Sequence, residues 1–274
     1  MSSLGTENGV AMAASRNGQL IHRRPRRRQA RRGRSIPTLE LAGFREAAYR
    51  LFSQALLYPA GERLAALATA TKELTQDDHV AAQFAFYADW RRVLARVQDV
   101  GGEPDRHLEE QYVALFGVSP GGVPCPPYES AFLSPNGQPD GLQMARIEAA
   151  YSEIGLVPSP DLGELPDHVA IELEFMAMLC GQEAAAWEDD DMAGAVKAMR
   201  RAKRFLDGHL SVWLPAFAHQ LAAVDKNGFY STISEGAAAF VLYDRDLLAA
   251  FLDGFSRIDK PPPENRPSGS QVMS

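Results

Sequence analysis

Asp167 and His168 open the stretch PDHVAIELEFM, Pro166 to Met176, and together they could do acid–base work. Glu172 follows His168 by four residues, so imidazole and carboxylate share one face if the stretch is helical. A carboxylate, an imidazole and a second carboxylate can serve as general acid and base, as metal ligands, or as a cation-recognition site. Glu174 lies in the same stretch, and Phe175, Met176, Met178 and Leu179 make the next turns oily. The plainest reading has Asp167 as a helix cap, His168 facing solvent and the oily residues in the core.

No second element completes a catalytic set. His107 and Glu110 are three apart, but a helical di-metal centre needs Glu-x-x-His on two helices, and neither that pattern nor His-Glu-x-x-His occurs. Cys125 lies in a proline-rich loop with no base assigned to it, and Ser130 has no Gly-x-Ser-x-Gly frame. PGGVP, residues 120–124, has glycines but no Lys-Ser/Thr, so it is no phosphate loop. No metal and no cofactor is expected, and the protein reads as a non-enzyme. Cys125 and Cys180 form no Cys-x-x-Cys, which points to a reducing cytoplasm and away from structural zinc.

The elements that must position these residues are helical. Leu41, Phe44, Ala48, Leu51, Phe52, Ala55 and Leu56 fall on one face of a long helix that stops near Pro59. A short helix is expected around Leu64 and Leu67, another through Val80, Phe84, Tyr87 and Leu94 to Gly101, and a third through Leu108, Tyr112, Leu115 and Phe116. GVSPGGVPCPPYES, Gly117 to Ser130, has four prolines and three glycines and must be a loop. Helices resume around Met144, Ile147 and Tyr151. Pro166 and Asp167 start the helix that carries the acid–base residues to about Trp187. HLSVWLPAFAHQLAAV continues helical with Pro215 as a start or kink, and two short helices cover Phe229–Tyr243 and Asp244–Arg257. The sum is an all-α fold: a single helical domain of about ten helices over residues 38–258, between a disordered Arg-rich leader (1–37) and a disordered Pro/Ser-rich tail (259–274).

Charge is divided sharply along the chain. Residues 1–38 hold nine arginines and one acid, about +8, which leaves −15 for residues 39–274 in a chain of net −7. Such a body attracts cationic partners and repels nucleic acid. No apolar run reaches the roughly 20 residues of a membrane span.

Six segments in order resemble the TorD/DmsD/NarJ-like family: YRLFSQALLYP (Tyr49–Pro59), LEEQYVALFG (Leu108–Gly117), PPYES (Pro126–Ser130), YSEIGL (Tyr151–Leu156), LPDHVAIELEFMAMLC (Leu165–Cys180) and FLDGHLSVWLPAFAHQL (Phe205–Leu221). The resemblance covers about residues 39–245. It implies an all-α cytoplasmic chaperone of molybdenum enzymes of the dimethyl-sulfoxide-reductase class. Such a chaperone binds the twin-arginine signal segment or the apo catalytic subunit before cofactor insertion and export. The residues it maps onto a peptide-binding surface are Tyr112, Leu115, Phe116, Pro127, Tyr128, Asp167, His168 and Glu172. Glu129 joins them as a carboxylate able to meet a guanidinium. Leu165 stands where the family often has Glu before Pro-Asp-His, with Glu164 one residue earlier, and the Arg-rich leader is not a family feature. The partner is therefore an apo molybdoenzyme subunit or its signal peptide, without stable membrane insertion, and with a monomer and a domain-swapped dimer both compatible. The alternative is a helical regulatory or nucleic-acid-binding protein that uses the Arg-rich leader.

Overall fold

The apolar periodicity resolves into ten α-helices and one 3-10 turn in the computed structural model, which describes residues 38–76, 78–101, 105–134, 141–157 and 164–258. The helices are α1 (Thr38–Ala55), α2 (Gly61–Gln76), α3 (Tyr87–Val100), α4 (Arg106–Phe116), α5 (Glu129–Leu133), α6 (Gly141–Ser152), α7 (Val169–Glu188), α8 (Met192–Gly208), α9 (Leu210–Val224) and α10 (Phe229–Ile258). The 3-10 turn, Ala81–Gln83, precedes α3. No strand forms among the described residues. The only β-like pairings there are isolated bridges, Ser119 with Gly122 and Tyr128 with His168. The leader and tail expected to be disordered lie outside the described residues.

The centre of the fold is α7. It is apolar on nearly every face and buries Val169, Ile171, Leu173, Phe175, Met176, Leu179 and Cys180, as a helix surrounded by others must. Its most extensive packing is against α1, with α8 on another side, while α10 packs on α9, α3, α8 and α1. Aromatic rings fill the end where α1, α3 and α10 meet. Phe44 meets Trp90 edge-on at 5.4 Å, and Tyr49 meets Phe240 edge-on at 4.8 Å. Close approach there needs Gly236 of α10, since a Cβ at that position would lie 2.3 Å from Val93 Cγ2 of α3.

One buried ion network ties three of these helices together. Arg45 of α1, only 2% exposed, donates through Nε to Asp244 of α10 at 2.5 Å and through Nη1 to Glu183 of α7. The Tyr49 hydroxyl donates to the same Asp244 at 2.7 Å. This network explains a departure from the sequence reading. Phe229–Tyr243 and Asp244–Arg257 are one 30-residue helix, because Asp244 caps nothing and instead turns inward to Arg45 and Tyr49. The element around Leu64 and Leu67 is likewise longer than expected, at 16 residues, yet it buries only Leu64, Leu67 and Thr71. Pro215 lies inside α9 and starts nothing. The break falls at His209, whose backbone (φ −133°, ψ −99°) ends α8 and begins α9.

Candidate functional site

The proline-rich loop and the start of α7 form one unit. Prolines cannot donate backbone hydrogen bonds, but their carbonyls accept. Pro127 O accepts from Val169 N at 2.8 Å, and Glu129 N donates to Asp167 O at 3.0 Å. Upstream, Cys125 N donates to Leu115 O and Gln220 reaches Pro124 O, so the loop is fixed to α4 and α9 as well. Gly122, at φ +95°, makes the turn whose ends Ser119 and Gly122 bond to each other.

Caps are exchanged across this unit. The residue capping α7 is His168, whose Nδ1 accepts from Ala170 N at 3.1 Å. Asp167 turns away and accepts from Ser130 N at 3.0 Å, so it holds the start of α5. The expected roles are thus reversed: the histidine caps and is buried, and the aspartate belongs to the loop. Burial holds His168 down to about 3, so its ring is neutral at pH 7. A ring that accepts at Nδ1 carries its proton on Nε2.

Two carboxylates lie deeper. Glu129 faces His209, with Nδ1 at 2.9 and 3.2 Å from its two oxygens. Glu172 accepts from the Trp213 indole at 3.2 Å. Burial first, and then the adjacent Glu129 carboxylate, push Glu172 well above the usual carboxylate range, which favours its protonated form. Asp167 Oδ1, His168 Nε2 and Glu172 Oε1 have no hydrogen-bond partner among the described residues, an unusual concentration of unpaired buried polar atoms. Cys125 offers no nucleophile, because burial pushes its thiol up to about 12.

Of the nine residues expected at the site, the structure gathers Pro127, Tyr128, Glu129, Asp167, His168 and Glu172 around the α5–α7 junction. Tyr112, Leu115 and Phe116 stand on α4. Asp167, His168 and Glu172 are 0% exposed and Glu129 is 1% exposed, with Leu115 and Pro127 buried too. Surface remains on Tyr112, Phe116 and Tyr128. Tyr128 packs edge-on against the His168 ring at 5.2 Å and donates its hydroxyl to Glu164. Burial and that carboxylate raise its phenol above the ordinary range.

This surface continues beyond the loop. Tyr112 packs on Phe116 at 4.8 Å and on the exposed Tyr58 at 5.5 Å, and it feels the charge of Glu164. Arg63 binds the carbonyl of Tyr58 and, at 3.2 Å, the amide oxygen of Gln54. Gln54 lies at one end of a groove of about 630 Å³ between α1 and α2. Small residues make the groove: Gly43 and Ala47 on α1 face Ala66 and Ala70 on α2, leaving Phe44, Leu51, Leu67 and Leu74 along the floor. Glu40, Glu46 and Glu73 stand around it with Arg50 and His79. Sequence spacing could not have found Glu164, His209 or Trp213 as partners, since each is 36 or more residues from the group it binds. Among the described residues no three His, Cys, Asp or Glu side chains meet as a metal-binding group, and no helix is long and apolar enough to cross a membrane.

The sequence matches known proteins over its central part. The nitrate reductase delta subunit family matches residues 77–219. The selenate reductase assembly chaperone protein of Thauera selenatis is 35% identical over 147 residues, covering 53% of this chain and 74% of that protein. The chlorate reductase assembly chaperone protein of Ideonella dechloratans is 33% identical with the same coverage. The chaperone protein TorD of Vibrio cholerae is 33% identical over 125 residues, 44% of this chain and 54% of the relative.

Proposed function

Because the chain belongs to the nitrate reductase delta subunit family of TorD-like chaperones, we propose that it is a system-specific assembly chaperone for a molybdenum-cofactor oxidoreductase of the dimethyl-sulfoxide-reductase class. It works in the cytoplasm, without catalysing a reaction. It binds the apo catalytic subunit through its N-terminal twin-arginine segment and keeps that subunit open to cofactor insertion before export.

One observation carries this reading: the continuous surface from Tyr128 and Glu164, across Tyr112 and Tyr58, to Gln54 and the groove between α1 and α2. A twin-arginine segment presents two guanidiniums and then an apolar stretch. At the first end, Glu164 supplies a carboxylate and Tyr128 and Tyr112 supply ring faces for guanidiniums. At the other end, the groove has an apolar floor, and its volume lies in the range of ligand pockets. Asp167, His168, Glu129 and Glu172 support that surface from beneath. They fix the loop that carries Tyr128 and do not themselves touch the peptide.

Calorimetry with a client signal peptide tests this. The Tyr128→Phe, Glu164→Gln double variant should bind at least about tenfold more weakly, the loss of one charge-assisted contact. A plug in the groove, Ala70→Trp, should weaken binding independently. Equal affinities in all three proteins would move the site elsewhere. No binding to the wild-type chain at millimolar peptide would sink the signal-segment reading.

A further inference from the structure

A second concavity lies on another face, where α6, α7 and α8 meet the α8–α9 corner. It has a volume of about 210 Å³, and its charged lining is Arg146, Arg201, Arg204, Glu153 and His209. Phe175 and Phe205 give it an apolar wall. Three guanidiniums against one carboxylate leave it about +2 before His209 is counted, in a body that is otherwise strongly acidic.

Of the three cations Arg201 is the enclosed one, while Arg146 and Arg204 stand exposed at the rim, Arg204 at 65%. Arg201 is 21% exposed, and its Nη2 donates to the Glu153 carbonyl at 2.8 Å, which orients the fork at the cavity. Arg204 pairs with the Glu153 carboxylate at 2.9 Å. Arg146 makes no ion pair among the described residues. His209 is 9% exposed, with its ring stacked on Phe205 at 4.6 Å and its Nδ1 held by the buried Glu129. The pocket therefore has two planar forks anchored by one acid, a third fork with no such anchor, and a floor tied to the buried acid network.

We infer that this pocket binds a phosphate group, as a free diphosphate or as the phosphorylated end of a small molecule. Guanidinium forks match phosphate oxygens bidentately. A single carboxylate ligand would be satisfied by one fork and would leave the others uncompensated, whereas a dianion balances the excess of about two charges. At about 210 Å³ the cavity is smaller than a whole drug-sized ligand site, so it takes the anionic group and leaves any remainder at the mouth. Binding draws Arg204 away from Glu153 and onto the ligand. Nothing in this inference depends on the signal-segment reading, because the pocket shares no residue with the surface proposed above.

The test is calorimetry on the full chain with inorganic diphosphate, glycerol phosphate and, as the carboxylate control, citrate. The wild-type chain should bind diphosphate, or diphosphate and glycerol phosphate alike, in preference to citrate at equal ionic strength. Diphosphate alone identifies the free anion as the source, and response to both identifies a phosphate ester, so either upholds the pocket. The Arg201→Gln, Arg204→Gln double variant, with helicity checked by circular dichroism, should lose roughly a hundredfold in affinity. Arg92→Gln, a cation exposed on α3, should lose nothing. No heat with either phosphate at about 10 mM, well beyond the millimolar range that defines weak binding, would overturn the inference. Preference for citrate, or equal losses in the double variant and Arg92→Gln, would overturn it too.

Discussion

Acid should unfold this protein partly through one residue, His168. An unfolded histidine titrates near 6.5, whereas burial holds His168 down to about 3. Between those values the unfolded chain binds a proton that the folded chain refuses, so stability is lost as pH falls from about 6.5 towards 3. The structure gives a second reason for the refusal. Nδ1 accepts from Ala170 N, and a proton there would set N–H against N–H and remove the α7 cap. Full expression of the shift corresponds to about 5 kcal/mol, and the part expressed between pH 7.5 and 5.0 is about 2 kcal/mol. The perturbation is His168→Asn, which keeps an oxygen able to cap α7 and abolishes the titration. Urea unfolding of both proteins at pH 7.5 and 5.0 isolates the effect, because every other titrating group is common to the pair. Wild type should lose about 2 kcal/mol more than the variant over that interval. Equal losses would refute the claim that His168 is buried, neutral and capping. A larger loss in the variant would mean that a charged His168 stabilises the fold.

Arg45→Met should cost about 3–5 kcal/mol in urea unfolding, since it strands the Asp244 and Glu183 carboxylates in the interior. Replacing both acids as well, by Asn and Gln, should recover part of that loss. Gly236→Ala should cost about 1–3 kcal/mol, because its Cβ would collide with Val93 Cγ2 and force α3 and α10 apart. Thermal melts will show whether the midpoint falls. Client-peptide affinity should drop as salt is raised from about 0.05 to 0.5 M, since the −15 body and Glu164 act on a cationic segment through largely solvated space.

The helical class and the start of α7 were legible because apolar residues at helical spacing and proline punctuation are local signals. The groove between α1 and α2 was not. It exists because Gly43, Ala47, Ala66 and Ala70 leave space where two helices meet, and no single helix reveals that. The candidate residues were legible as types and neighbours, but their burial was not. Asp167 and His168 read as a cap and a solvent-facing ring, yet the Pro126–Pro127 loop folds back over them and exchanges the two roles. Asp244 misled for a related reason. In sequence it divides two helices, but its partner Arg45 lies 199 residues away and turns it into the middle of one.

The chaperone role itself is tested most directly by the molybdenum content of the client reductase. The reductase subunit that co-purifies with this chain is isolated from cells that carry its gene, from cells that lack it, and from complemented cells, and metal is measured per subunit. A chaperone gives a full complement with the chain present, a deep deficit without it, and recovery on complementation. Equal molybdenum loading in all three preparations would contradict that role.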